Sequence, residues 1–340
     1  MRPPNSPDIP PGSTPLRLLS RAPIAGFSGA SGAASERDAH QRQALSAPPQ
    51  PEVQRAVPAA AGAARPTCAF TIDVEDWFQS SMDFDAPISE RVVRNVGRVC
   101  ELLDEVGVKG TFFVQGKVAE AFPRLLQNLV TLGHEIQSHG YSHRPLYGMD
   151  RKALRTELEL AVKTVEDACG VRVTAFRAPD FSILPRNLWA LETLAELGFV
   201  LDSSIFPLKT RRYGVPGWGV EPRHVELGNG ARILEVPVAI GRVGGLLVPV
   251  AGGGYFRLMP RALLDLAIRS ILKERRPVVI YCHPYEFNPG EMDEYRGKVS
   301  NLYRLHQSIG RNSLIRRMRH LLTEYPFGRF DDVIAGWQSA

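Results

Sequence analysis

The feature that most limits what this chain can fold into is a repeated alternation. From Thr67 onward, short β-type runs are followed by helical ones, and several of the helical runs stop at a glycine. Strands are expected over Cys68–Val74, Lys109–Gln115, Glu135–Ser138, Val173–Arg177, Phe199–Ser203, Ile233–Val238 and Pro277–Cys282. Between them the apolar period changes to that of a helix over Ile88–Val106, Pro123–Leu132, Arg151–Cys169, Arg186–Leu197 and Pro260–Lys273. The first four of these helices are closed by Gly107, Gly133, Gly170 and Gly198. Strands separated by crossover helices pair in parallel, so the expected fold is α/β, a parallel (β/α) sheet rolled into a distorted barrel.

Composition narrows the reading without deciding it. A chain of 340 residues with 44% hydrophobic residues buries a large core. The net charge of +5 comes from Lys and Arg dispersed among Asp and Glu, which argues against a nucleic-acid partner. The basic stretch Arg311–His320 is assigned to an exposed helix face for the same reason. Cys68, Cys100, Cys169 and Cys282 have neither C-x-x-C nor zinc-knuckle spacing, so reduced, mostly buried thiols are expected. No run reaches the roughly 18 apolar residues of a transmembrane segment, and no apolar leader follows the first arginines. The expected location is therefore cytoplasmic. Residues 1–66, rich in Pro, Ala, Ser and Gly, bury too little to offset their ordering entropy and are expected to be disordered. Residues 67–290 would then form the barrel, and residues 291–340 a C-terminal helical extension packed on it. The run Gly252-Gly253-Gly254 lacks the frame of a phosphate loop and is read as a turn.

The chemistry-bearing residues cluster by position. Asp73, Glu75, Asp76, His139, His143, Arg177, Asp202 and His283 all fall at or just past the C-terminal ends of expected strands, the end that carries the active site in α/β barrels. Any one of them alone would be structural more often than not. Five strand ends converging on polar groups are harder to explain that way.

His139 and His143 stand four residues apart in a segment leaving a strand, where a turn can aim both rings at one ion. Imidazole and carboxylate together suit zinc and other first-row divalent metals. The run from His134 to His139 resembles the H-E-x-x-H of metalloproteases but is one residue too long and lies on a strand, which rejects a protease. Asp73, Glu75 and Asp76 crowd three carboxylates into four positions, a repulsion that a cation or a shared proton relieves. In an extended backbone Asp73 and Glu75 share a face and Asp76 points elsewhere. Trp77, Phe181, Trp189 and Trp218 are candidates for a sugar-binding groove, with buried core the better reading for Trp189.

Taken in order, Thr71-Ile72-Asp73-Val74-Glu75, His139-Gly140-Tyr141-Ser142-His143, Phe176-Arg177-Ala178-Pro179, Leu201-Asp202-Ser203 and Cys282-His283 resemble the motifs of the NodB-homology polysaccharide deacetylases, carbohydrate esterase family 4. The resemblance spans residues 67–290. The forms starting at Asp73 (Asp-Val-Glu-Asp-Trp-Phe), His283 (His-Pro-Tyr-Glu-Phe) and Gly252 (Gly-Gly-Gly-Tyr-Phe-Arg) are similar to the branch associated with exosortase and exopolysaccharide loci.

The resemblance implies a NodB-type barrel and a divalent metal, zinc, held by Glu75, His139 and His143. Asp73 would be the base that activates water, and Arg177 would hold Asp73. His283 would protonate the leaving amine, and Asp202 would orient and charge His283. The implied substrate is a polysaccharide or a lipid-linked oligosaccharide, N-deacetylated during exopolysaccharide synthesis in association with an assembly complex. Two departures from the family pattern stand out. The second acid is displaced to Glu75, with Asp76 as its alternative, and Asp180 follows Pro179 where the family commonly has Tyr. Two other functions stay open at this point: a related amidohydrolase acting on a small non-sugar C–N bond, and a non-catalytic carbohydrate-binding scaffold.

Overall fold

A computed structural model describes residues 52–53 and 66–340. The disorder expected over residues 1–66 therefore falls outside the described residues, apart from Pro66 and Glu52–Val53, which pairs in parallel with Val171–Arg172. The main sheet runs in the order Val278–Cys282, Cys68–Val74, Thr111–Val114, Glu135–Ser138, Ala175–Phe176, Leu201–Asp202, Arg232–Glu235 and Arg223–Glu226. Every neighbouring pair is parallel except the last, which is an antiparallel hairpin. The α/β barrel is present and distorted. Its remaining gap is bridged by the Ala239 amide donating to the Val279 carbonyl at 2.8 Å and the Tyr281 amide donating to the Ala251 carbonyl at 2.7 Å.

Three elements lie where the alternation places them: the strands Cys68–Val74 and Glu135–Ser138 and the helix Arg151–Cys169. The helix is capped by the Asp150 side chain and ended by Gly170 at φ 74°, a left-handed position that favours glycine. Other elements are shorter than expected. The strand over Val173–Arg177 reduces to Ala175–Phe176, and the helix over Arg186–Leu197 to Ala190–Glu196. An antiparallel pair, Ile240–Val243 with Leu246–Pro249, went unanticipated. Nor is the triple glycine a plain turn: Gly253–Leu258 is a short helix with Gly252 before it.

Strand alternation sorts the core into two parts. One set of side chains, including Phe70, Ile72, Phe112, Ile136 and Phe176, packs under the surrounding helices. The other set, Ala69, Phe113, Ala175, Leu234 and Val279, points into the barrel and meets Phe330, Val333 and Ile334. Those last three belong to the helix Phe330–Gln338, so the C-terminal segment is more than an extension packed on the outside. Phe327–Gly328 joins the sheet beside Cys68–Val74, and the Phe330 amide donates to Thr111 Oγ1 at 2.7 Å. The basic stretch also differs from expectation. Arg311 is buried, with Nε donating to the Gln307 carbonyl at 2.7 Å. Among the described residues no helix is long and apolar enough to cross a membrane, and all four cysteines are free, two buried and two half-buried.

Candidate active site

Above the apolar plug the barrel interior turns polar, beginning with Arg177. This side chain is 0% exposed, and its guanidinium carbon lies 4.2 Å from the Phe113 ring centroid. Its Nη1 donates to Thr71 Oγ1 and to Asp73 Oδ1, both at 2.7 Å, and its Nη2 donates to Ser203 Oγ at 3.2 Å. A buried guanidinium costs several kcal/mol unless it is paired, so this carboxylate and these hydroxyls are the condition for its being there.

Past the strand end, Glu75 and Asp76 separate. The Asp76 carboxylate caps the helix Trp77–Ser81, accepting from the Phe78 amide at 2.9 Å and the Gln79 amide at 3.2 Å, and also binds Ser89. It is thereby turned away from the histidines, and the acid beside them is Glu75. Ser80 Oγ and Tyr285 Oη each donate to Glu75 Oε1 at 3.1 Å. That leaves Oε2 buried with no hydrogen-bond partner of its own.

The loop after Glu135–Ser138 delivers both imidazoles to that oxygen. Gly140 at φ 73° and His143 at φ 64° are left-handed, and these two bends fold the loop back on itself. A non-glycine residue in this conformation is uncommon and often marks a functional turn. His139 Nδ1 sits 2.8 Å from the Arg177 carbonyl, so Nε2 faces Glu75 Oε2 at 3.6 Å. His143 Nε2 contacts the same oxygen. Candidate ligand atoms of Glu75, His139 and His143 all lie within 4.8 Å of one another. A buried carboxylate oxygen and two imidazoles facing it, His139 held through Nδ1 and His143 with its Nδ1 unpaired, fit a divalent cation.

Electrostatics tie the group together. Burial would raise the Glu75 carboxyl, but the charges of His143 and His283 and the close approach of the His139 and His143 imidazoles outweigh it and hold it well below the usual range. Burial depresses His283 while Glu75, Glu286 and Asp73 raise it, for a net pKa of about 9. The two histidines and His283 share with Asp73 and Glu75 a cavity of about 290 Å³, also lined by Trp77, Phe181, Tyr281 and Tyr303. Asp180 is on the rim at φ 55°, and its carboxylate is drawn off by Arg212 at 2.9 Å. Trp189 and Trp218 stand outside this cavity, each under an arginine: Arg151 at 5.0 Å and Arg223 at 4.3 Å.

The expectation for Asp202 is corrected. In register Asp202 lies beside Phe176 and Glu235, on the outward-facing side of the sheet, whereas Leu201 faces the interior cluster. Its Oδ1 accepts from Ser204 Oγ at 2.5 Å, and its other neighbour is Glu235. Burial and the adjacent Asp202 carboxylate push the Glu235 carboxyl well above its usual range. The carboxylate at His283 is Glu286, with Oε2 3.3 Å from Nδ1. The signal for it was in the sequence as an acid three positions after the histidine, inside His-Pro-Tyr-Glu-Phe.

Comparison with known proteins follows the same geography. Residues 81–200 match the family model for polysaccharide deacetylase, and residues 203–335 match a domain of unknown function (DUF3473). The chain carries a polysaccharide deacetylase domain. Among curated relatives, a peptidoglycan deacetylase of Helicobacter pylori is 30% identical over 112 residues, 32% of this chain and 36% of the relative. Chitin deacetylase 1 of Cryptococcus neoformans is 34% identical over 79 residues, 23% of this chain and 17% of that protein. The chain thus spans well under two thirds of the length of these relatives. A solved structure from Mycobacterium smegmatis, described as a candidate polysaccharide deacetylase, aligns with a TM-score of 0.52 at 22% identity. It covers 85% of this chain and 96% of the other, and it shows that the deacetylase domain shares that fold.

Proposed function

We propose that the protein is a metal-dependent hydrolase that removes N-acetyl groups from amino sugars of a polysaccharide or its lipid-linked precursor, in exopolysaccharide biosynthesis. The observation that carries this reading is the convergence of Glu75, His139 and His143 beside an Arg177-held Asp73, with His283 across the same cavity. A divalent cation held by Glu75, His139 and His143, zinc by the character of the donors, would supply a Lewis acid for the acetyl carbonyl oxygen.

The remaining chemistry belongs to the chain. Asp73 Oδ1 is committed to Arg177, so Oδ2 takes a proton from a water molecule as the water oxygen bonds to the acetyl carbon. The C–N bond then breaks, and the nitrogen, a poor leaving group as an anion, takes a proton from His283. Acetate and a free amine are the products. Tyr303, 36% exposed at the cavity wall and backed by the buried Trp77 ring 6.1 Å away, offers an apolar face to a sugar ring. Association with an exopolysaccharide assembly complex belongs to this same reading and rests on the likeness of the motifs around Asp73, Gly252 and His283.

The test is acetate release from N-acetylhexosamine oligomers by the purified, zinc-loaded protein. Release should stop on chelation and return with zinc. A zinc-replete protein that frees no acetate from any such oligomer would overturn the assignment.

A further inference from the structure

His283 lies in the part of the chain matched by the model that carries no assigned function, residues 203–335. Behind it, two segments of that part meet on one carboxylate, and a third anchors the arginine that faces it. The His283 amide donates to Glu286 Oε2 at 2.9 Å, and His283 Nδ1 lies 3.3 Å from the same oxygen. On the other side, Glu286 Oε1 faces Arg257 Nε at 3.7 Å. Arg257 is itself anchored, its Nη1 donating to the Gln307 carbonyl at 2.8 Å and the Ile309 carbonyl at 3.1 Å.

The triple glycine finds its reason here. A Cβ placed on Gly253 would fall 2.0 Å from Glu286 Oε2, so the helix start approaches the carboxylate as closely as it does only because no side chain intervenes. Glu286 is buried, 4% exposed, while the His283 side chain keeps 24% of its surface open. An imidazole pinned through Nδ1 by a buried carboxylate presents Nε2 alone to whatever enters the cavity. Nothing in the deacetylase reading required Glu286, and the residue expected in this role, Asp202, points out of the barrel.

We propose that Glu286 is the positioning residue for His283, and that residues 203–335 form the proton-delivering half of the active site. This rests on the hydrolytic reading above. Glu286 accepts the Nδ1 proton of His283 in a hydrogen bond and fixes Nε2–H toward the scissile nitrogen. As the C–N bond breaks, that nitrogen takes the Nε2 proton and keeps the bonding pair. The water hydroxyl stays on the acetyl carbon, and the proton left on Asp73 restores His283 through solvent. Arg257 and Gly253 hold Glu286 where it can act.

The experiment compares two substrates on the zinc-loaded full chain, an N-acetylhexosamine oligomer and 4-nitrophenyl acetate, whose phenoxide departs without a proton. For Glu286→Gln, kcat on the amide should fall about 100-fold, within the range for loss of general acid catalysis, while kcat on the aryl ester stays within about threefold. Glu286→Asp keeps the buried charge but withdraws it from Nδ1, and it should show the same split at smaller size. Zinc stoichiometry should be unchanged in both. Equal losses on the two substrates, or no loss on the amide, would overturn the role of Glu286 while leaving the hydrolytic reading intact. A wild-type protein inert toward the amide would overturn both.

Discussion

Arg177 Nη1 and Asp73 Oδ1 lie 2.7 Å apart inside the barrel, with 0% and 4% of their side-chain surfaces exposed. Such a pair is unforgiving of one-sided change. Arg177→Met should destabilise the protein by about 3–5 kcal/mol, because it strands a buried carboxylate. Asp73→Asn keeps a hydrogen-bond acceptor for the guanidinium but leaves its buried charge uncompensated, so it too should lose stability, by up to about 3–5 kcal/mol. It should fold, and it should lose about 10²–10⁴ in kcat for acetate release. Urea midpoints and steady-state rates on the two variants separate these outcomes, and an active Asp73→Asn protein would remove Asp73 from the chemistry.

Zinc uptake should depend on groups that do not face the ion. Ser80 and Tyr285 saturate Glu75 Oε1 and so aim Oε2 at the histidines. Tyr285→Phe should weaken zinc binding roughly 10- to 100-fold in competition with a chromogenic chelator, the usual effect of losing an outer hydrogen bond. His143→Ala should weaken it further. Unchanged affinity in both variants would mean that the cluster is not the metal site.

Asp202→Asn distinguishes the two faces of the sheet. Because Asp202 pairs with Glu235 and Ser204, its substitution should leave kcat within about threefold and alter stability by about 1–3 kcal/mol, the range for disturbing a buried polar contact. A kcat loss confined to the amide substrate would return Asp202 to the proton-transfer apparatus.

The lower end of the barrel predicts a pH dependence. Burial, reinforced by the adjacent Glu135 carboxylate, pushes the Asp331 carboxyl well above its usual range. A folded-state pKa above the unfolded value of about 3.9 contributes stability that is complete below that value and is lost as pH rises through the folded pKa. Asp331→Asn should match wild type in Tm near pH 4 and exceed it at alkaline pH. A difference independent of pH would show that Asp331 does not hold a proton.

Much of this was legible in the sequence where one strand or one helix carried the signal. Cys68–Val74 and Arg151–Cys169 declare themselves by local period and by a glycine stop. That Asp73, Glu75, Asp76, His139 and His143 gather at one end of the sheet follows from strand ends facing one way; the choice of Glu75 among the acids came with the resemblance to the deacetylase motifs. Asp202 was misplaced because alternation along a strand shows only whether neighbours share a face, and the face itself is set by pairing with Phe176 and Glu235. The pairing of Glu286 with His283 depends on a short 3₁₀ turn, Pro284–Phe287, and on Gly253, which lies before a whole helix and a strand that intervene in the sequence. The plug formed by Phe330, Val333 and Ile334 was hidden because a helix at the end of a chain looks the same whether it lies on a barrel or inside it.

That plug has a consequence for how the molecule assembles. The contacts that seal the barrel floor join Phe330 to Thr111 and Asp331 to Glu135, residues 219 and 196 positions apart. Closing loops of that length is slow, and until it happens the inward faces of the strands stay wet. On the ribosome the first strands emerge long before the residues that cover them, so the polypeptide passes through a stage with an open, apolar-floored sheet. Until Phe330, Val333 and Ile334 arrive, Ala69, Phe113 and Val279 remain uncovered, the kind of apolar surface that makes a folding intermediate prone to aggregate.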